Sequence, residues 1–202
     1  MARVVPEPVQ EDARAAAGLA RSVVAGGGAV GPTLAETLAG VGLLDETLPW
    51  AVRVEVAREA GRGSCSAGLA AFGSSGPLLA AAVLCGAGET AAETGMAYAR
   101  DRVVFGRPLA RMPVQRHAFA TVAASVEAAV ALVRRVALAL DAGGGDGGAD
   151  PVEEAAVLPV ALDAAWAAAE AALQVHGGYG YTDEYPVSRM WTEVAAARAA
   201  LL

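Results

Sequence analysis

Five arginines fall between positions 100 and 116 (Arg100, Arg102, Arg107, Arg111 and Arg116) against one acid, Asp101. The stretch carries +4 in a chain of net charge −7, so the remainder carries −11. A guanidinium presents a planar fork that matches phosphate oxygens two at a time, so this contrast points to a local anion site. An ion-paired contact between helices or between subunits accounts for the charges equally well. The second chemically suggestive stretch is QVHGGYGYTDEYP, Gln174 to Pro186. Gly177 and Gly178 can take positive φ and carry no Cβ, so they can end a helix and offer bare main-chain N–H groups to a ligand or a neighbouring chain. A simple helix C-cap is the plainer account of the pair. Gln115 and Gln174 stand at predicted helix ends, where an amide can donate and accept, or only cap and face water. For His176 and His117 the structural explanation is preferred, a histidine near a helix end serving the helix dipole.

Several kinds of chemistry are not indicated. No phosphate-binding Gly-x-x-x-x-Gly-Lys loop, dinucleotide glycine fingerprint, Gly-x-Ser-x-Gly elbow or His-Glu-x-x-His pair occurs. All fifteen basic residues are arginine, which removes Schiff-base chemistry on lysine. Cys65 and Cys85 form no Cys-x-x-Cys pair, so no zinc site or disulfide framework is expected, although a single Cys65–Cys85 bridge stays open. Paired carboxylates such as Glu153 and Glu154, or Asp183 and Glu184, sit at helix starts, where the dipole explains them. The acidic balance argues against a general nucleic-acid binder. The apolar run Pro77 to Ala87 is too short to span a bilayer and no signal peptide is apparent, so a cytoplasmic protein without a membrane segment is expected.

The elements that must position these residues read as helices. The chain is 55% hydrophobic, alanine-rich and poor in aromatics, which favours close-packed helices, and the small area each alanine buries favours oligomers. Helices are predicted over Val9 to Ala25, Thr33 to Val41 and Pro49 to Ala60, after which GRGSCSAG breaks the pattern. Leu78 to Arg102 reads as one long helix, apolar all round in its first half and therefore buried there on every side. Val103 to Pro113 reads as a loop, with Pro113 the first residue of a helix to about Asp141. AGGGDGG, residues 142 to 148, is a connector. Asp150-Pro151-Val152-Glu153 signals a helix start with Asp150 as cap and Glu153 reaching back. Pro159 predicts a kink in that helix or a later start, and Pro186 to Leu202 forms the last helix. No strand is predicted.

Taken together, these segments resemble the C-terminal helical domain of the acyl-CoA dehydrogenase flavoproteins. YARDRVVFGRPLARMPVQ, Tyr98 to Gln115, is similar to the family's first motif, with its arginine, Phe-Gly pair and glutamine. LQVHGGYGYTDEYPVSR, Leu173 to Arg189, is similar to its second, with its glutamine, Gly-Gly pair and acidic aromatic turn. The resemblance covers about Gly76 to Leu202 and implies an all-α fold, an up-and-down four-helix bundle over residues 76–202. Residues 1–75 form a short helical N-terminal segment, in which GVGLLDE and Arg58 to Arg62 resemble part of the family's N-terminal helical domain. In the family, the matched residues contact the diphosphate and adenosine portion of an FAD bound to the neighbouring subunit. The resemblance therefore implies that Arg102, Phe105, Gln115, Gln174, Gly177 and Gly178 bind the cofactor, with Val104 replacing a common hydroxyl residue.

Departures from the family shape the functional expectation. The middle β-domain has no room between residues 63 and 78, the chain stops at Leu202 before the Glu-Gly-Thr segment that in many members supplies the base, and the turn from Ser75 to Leu78 has no acid. The Arg-Asp pair after the last aromatic is here Thr192 and Glu193. No catalytic residue and no metal ligand is assigned. The expectation is a reduced acyl-CoA dehydrogenase-like subunit that completes an FAD site for α,β-dehydrogenation of an acyl thioester, as a homo-oligomer or with a full-length acyl-CoA dehydrogenase. The alternatives are a catalytically inactive partner subunit and a flavin-free helical oligomer.

Overall fold

Proline, serine and aspartate open the helices that organise this chain. A computed structural model describes residues 7–26, 38–39, 42–43, 45, 47–73, 76–143 and 148–201. Among them seven helices run in order: α1 Glu7–Gly26, α2 Trp50–Gly63, α3 Cys65–Phe72, α4 Pro77–Asp101, α5 Pro113–Gly143, α6 Pro151–His176 and α7 Pro186–Leu201. The helix predicted over residues 33–41 lies outside the described residues except for Leu38 and Ala39, which are helical.

The fold is all-α, with α4 to α7 forming the bundle. The centre is α4, which packs on α2, α3, α5, α6 and α7 and is buried without interruption from Leu78 to Gly88, as its all-round apolar first half predicts. Small residues set the helix spacing. A Cβ on Gly86 would lie 1.9 Å from the Arg58 carbonyl oxygen, and one on Gly61 would lie 1.9 Å from that of Val83. The α2–α4 crossing is therefore a backbone-to-backbone contact that no larger residue permits. One continuous hydrophobic core runs from Leu38 and Val52 through α4 to Val194 and Ala197, so the N-terminal helices share it with the bundle.

Local rules account for most boundaries. Asp150 caps α6 by accepting from the Val152 N–H at 2.8 Å, and α6 begins at Pro151 and continues through Pro159, whose ring faces solvent. Glu153 does not reach back to the cap; it pairs with Arg135 across the α5–α6 interface, where an opposite charge competes successfully with the local bond. GRGSCSAG breaks the helix at one residue, Ser64, which is extended at φ −161° and ψ 128°. α2 runs on to Gly63, and after Ser64 alone α3 begins, with Ser64 Oγ accepting from the Ala67 N–H. The glycines there serve packing: a Cβ on Gly68 would lie 2.8 Å from Val83 Cγ1. The start of α2 is capped from a distance, since Asp141 near the end of α5 accepts from the Trp50 and Ala51 N–H groups at 2.6 and 2.9 Å. At the same end of the bundle the chain nearly touches itself. A Cβ on Gly143 would sit 2.4 Å from Gly148 Cα.

Strand structure, which the sequence did not predict, is present between α4 and α5. Val103–Val104 (β1) pairs antiparallel with Arg107–Pro108 (β2), Val103 opposite Pro108 and Val104 opposite Arg107. Leu109 N–H donates to the Arg102 carbonyl at 2.8 Å and closes the hairpin. A short 3-10 turn, Leu109–Arg111, leads to Pro113.

Candidate functional site

The C-terminal end of α4 meets the C-terminal end of α6, and aromatic packing joins them. Tyr98 stacks on His176 with centroids 4.0 Å apart, and both meet Tyr185 edge-on at 5.8 and 5.3 Å. His176 is buried and its Nδ1 lies 2.7 Å from the Ala172 carbonyl oxygen, so its place is structural. Arg102 lies one turn beyond Tyr98, and Gly177 directly follows His176. The two sequence motifs are thereby held at one end of the bundle.

Phe105 is the most unusual residue there. With Gly106 it forms the two-residue turn of the hairpin, at φ 52° and 74° respectively. A turn of this hand needs positive φ at both positions and suits Asn-Gly or Gly-Gly. Left-handed backbone at a non-glycine residue costs on the order of 1–2 kcal/mol. Nevertheless its ring is 92% exposed, so no burial within the chain offsets the strain.

The other candidates also face outward. Arg102, Gln174, Gly177 and Gly178 are exposed and Gln115 is half-buried on the first turn of α5. Gly177 takes φ 61° and ψ −138° at the end of α6, and a Cβ on Gly177 or Gly178 would meet nothing within 4 Å. This backbone is open on its outer side. None of the five arginines from Arg100 to Arg116 forms an ion pair among the described residues, so the interhelix pairing allowed for them is not formed there. Guanidiniums unpaired among the described residues can take phosphate oxygens through their forks, and the bare main chain at the C-terminal end of α6 lets a ligand approach closely. Beside the hairpin an open groove of about 710 Å³ separates α4 from α5, with Met96, Phe119 and Ala120 among its walls and Arg100, Arg116 and His117 at its edge.

Sequence reasoning missed a second concentration of charge, at the α2–α4 crossing. Arg58 donates to both Glu89 oxygens at 2.9 and 2.7 Å and to Glu55 at 2.6 Å. Arg62 reaches Glu89 at 2.7 Å and Glu93 at 2.8 Å, and Arg134 of α5 reaches Glu55 at 2.5 Å. Burial alone would raise the Glu55 pKa, but the Arg134 hydrogen bond and the Arg58 charge override it and hold Glu55 below the ordinary carboxylate value. Arg58 is likewise held fully protonated, its burial outweighed by Glu55 and Glu89. Glu55, Glu89 and Glu93 are each hydrogen-bonded to arginine, which makes this cluster a fastening, whereas Glu59 beside them is buried and its Oε2 has no hydrogen-bond partner among the described residues. Cys65 and Cys85 are free thiols, each pushed up to about 12 chiefly by burial, with Glu193 adding for Cys65 and Glu89 for Cys85. The open bridge between them is not formed.

Residues 73–200 match the family described as "Acyl-CoA dehydrogenase, C-terminal domain". The chain belongs to the acyl-CoA dehydrogenase family. It is 35% identical over 109 residues to the short-chain specific acyl-CoA dehydrogenase of Megasphaera elsdenii, covering 54% of this chain and 27% of that protein. It is 39% identical over 110 residues to an acyl-CoA dehydrogenase of Bacillus subtilis (strain 168), covering 54% and 28%. The solved butyryl-CoA dehydrogenase of Megasphaera elsdenii superposes with a TM-score of 0.55 at 28% identity, over 70% of this chain and 33% of that one. This acyl-CoA dehydrogenase family chain thus spans about a quarter to a third of the length of these relatives. Its likeness lies in the helical C-terminal part.

The apolar length of α6 has its explanation in the same architecture. Pro151–Tyr181 is long and apolar enough, by length and composition, to cross a membrane, and half of its most apolar window is buried within the bundle. A helix packed into a bundle core has that character for packing reasons.

Proposed function

We propose that this chain supplies one side of an FAD site at a seam between two polypeptides, as a subunit of an acyl-CoA dehydrogenase-type flavoprotein acting on an acyl thioester. The observation that carries the reading is Phe105, held on strained left-handed backbone with its ring in solvent, beside unpaired arginines and an open Gly177–Gly178 main chain. Strain of this kind persists where function requires it.

Each residue has a defined task. The Arg102 guanidinium binds diphosphate oxygens through its fork, and the Gly177 and Gly178 backbone admits close approach because no Cβ intervenes. Phe105 offers a flat face for stacking and covers the cofactor from water. The Gln115 and Gln174 amides hydrogen-bond to the adenosine portion. FAD, when bound, supplies the hydride acceptor for α,β-dehydrogenation. Among the described residues the first turn of α4 contains no acid, and abstraction of the α-proton needs a base within hydrogen-bond reach. We therefore assign the base and the flavin-ring pocket to a longer acyl-CoA dehydrogenase partner. The same observation supports a second reading, a catalytically inactive partner subunit that only completes the site.

Visible absorbance of the protein purified alone, and co-purified with a full-length acyl-CoA dehydrogenase, tests the proposal. Visible flavin absorbance is expected in the co-purified sample and weakened by Arg102→Ala. Bleaching on addition of an acyl-CoA separates the active from the inactive reading. Colourless protein in both preparations would refute flavin binding.

A further inference from the structure

The groove between α4 and α5 contains none of the residues given to the cofactor, and its chemistry is graded along its length. Gly95 makes room for its floor: a Cβ there would lie 2.8 Å from the ring of Phe119, which is buried beneath it. Met96, Ala120 and Ala123 extend that apolar surface. The last turn of α4 and the first turn of α5 both adjoin the hairpin, so Arg100 and Arg116 stand at the same end of the groove, with His117 beside them. Both guanidiniums are exposed, and neither forms an ion pair among the described residues.

The other end of the same helix faces is acidic. Glu93 stands seven residues before Arg100 on α4, and Glu127 stands eleven after Arg116 on α5; both spacings return to one side of a helix. Glu93 is engaged with Arg62 at 2.8 Å, and Glu127 is exposed. A ligand in the groove therefore has a fixed polarity, with an anion drawn to Arg100 and Arg116 and repelled by the carboxylates beyond Ala123. Between these ends only apolar surface is offered. Arg116 to Ala123 spans about 10 Å of helix at 1.5 Å per residue, and the volume of about 710 Å³ lies in the range of small-ligand sites.

We propose that the α4–α5 groove binds a free single-chain carboxylate, its head at Arg100 and Arg116 and its tail over Met96, Phe119 and Ala120 towards Ala123. Each guanidinium fork can take both oxygens of a carboxylate, and the tail removes the apolar floor from water. A bare inorganic anion would leave that floor wet, and a cationic amphiphile would meet like charge at the head. The site needs no cofactor and no chemical step, so it stands or falls separately from the flavin reading.

Isothermal titration calorimetry on the flavin-free chain tests the site, with octanoate as the probe and circular dichroism confirming that each variant is folded. Octanoate should bind with a Kd below about 1 mM, and more weakly as salt rises. Acetate keeps the head without the tail, and octyltrimethylammonium keeps the tail with the charge reversed; each should bind about 10-fold more weakly or worse. Arg100→Gln with Arg116→Gln, which removes both forks, and separately Ala120→Trp, which fills the floor, should each weaken octanoate by about 10-fold or more. No binding of octanoate up to about 10 mM, equal binding of acetate or of octyltrimethylammonium, or unchanged binding in either variant would overturn the proposal. Capture by phosphatidylglycerol vesicles without binding of octanoate would also overturn it, marking a membrane-facing surface instead.

Discussion

Arginine serves opposite ends in two regions of this molecule. At the α2–α4 crossing Arg58 and Arg62 are half-buried, each shared between glutamates at 2.6 to 2.8 Å. At the far end of α4, Arg100 to Arg116 are exposed and unpaired among the described residues. The first group has spent its hydrogen-bonding capacity inside the chain, and removing one member leaves a buried charge. The second keeps that capacity for something outside. The side chain is the same; the difference is whether a carboxylate stands on the facing helix.

This contrast predicts a graded set of effects. Gly86→Ala should be the most damaging substitution, because its methyl would enter the Arg58 carbonyl; a loss of about 3 kcal/mol or more in denaturant unfolding is expected for such overpacking, and a loss under about 1 kcal/mol would mean the crossing can spread. Arg58→Met should cost about 2 kcal/mol, in line with lost hydrogen bonds to charged groups, because Glu55 and Glu89 each lose a guanidinium but keep Arg134 and Arg62. Asp141→Ala, which removes the remote cap of α2, should cost about 1 kcal/mol by the same measurement. Arg102→Ala should change stability by no more than about 0.5 kcal/mol while weakening flavin retention in the co-purified complex. A large stability loss at position 102 would erase the distinction between the two regions.

The pH profile sharpens the same comparison. Glu55 has a lower pKa in the fold than its ordinary value of 4.5, so its stabilisation is complete above 4.5 and is lost as pH falls through the depressed folded value. Cys65 and Cys85 behave in the reverse sense. With folded values near 12 against an ordinary 9.0, they ionise first in the unfolded chain, and stability declines as pH rises from about 9 towards 12. Thermal melts across pH should show both limbs, with the alkaline limb flattened in a Cys65→Ala, Cys85→Ala variant.

Much of the frame was legible because it follows local rules. Pro113 and Asp150-Pro151 marked helix starts, and the apolar run from Leu78 marked the buried half of α4. What escaped notice depends on contacts distant in sequence. Gly61, Gly63 and Gly68 read as breakers, yet Gly61 and Gly68 lie against Val83, 22 and 15 residues away on another helix. Glu153 matched a capping pattern but found Arg135 instead, and Asp141 looked like an ordinary helix end until α2 arrived beneath it. The hairpin was within reach, since Val-Val and Arg-Pro flank a two-residue Phe-Gly turn. Its aromatic first position hid it, because that residue disfavours the conformation it adopts. For the candidate site, the family motifs supplied the residues, and the structure supplied the strain at Phe105 and the openness at Gly177 and Gly178.

The near-touching backbone at Gly143 and Gly148 has a practical corollary. The outgoing and returning chains meet at that point, so the length of peptide joining them adds little to what holds α5 beside α6, and each doubling of a flexible insert costs only about 0.6 kcal/mol. A fluorophore tag or an affinity handle spliced there would ride on the end remote from the arginine-rich hairpin, leaving the proposed flavin site free to be observed.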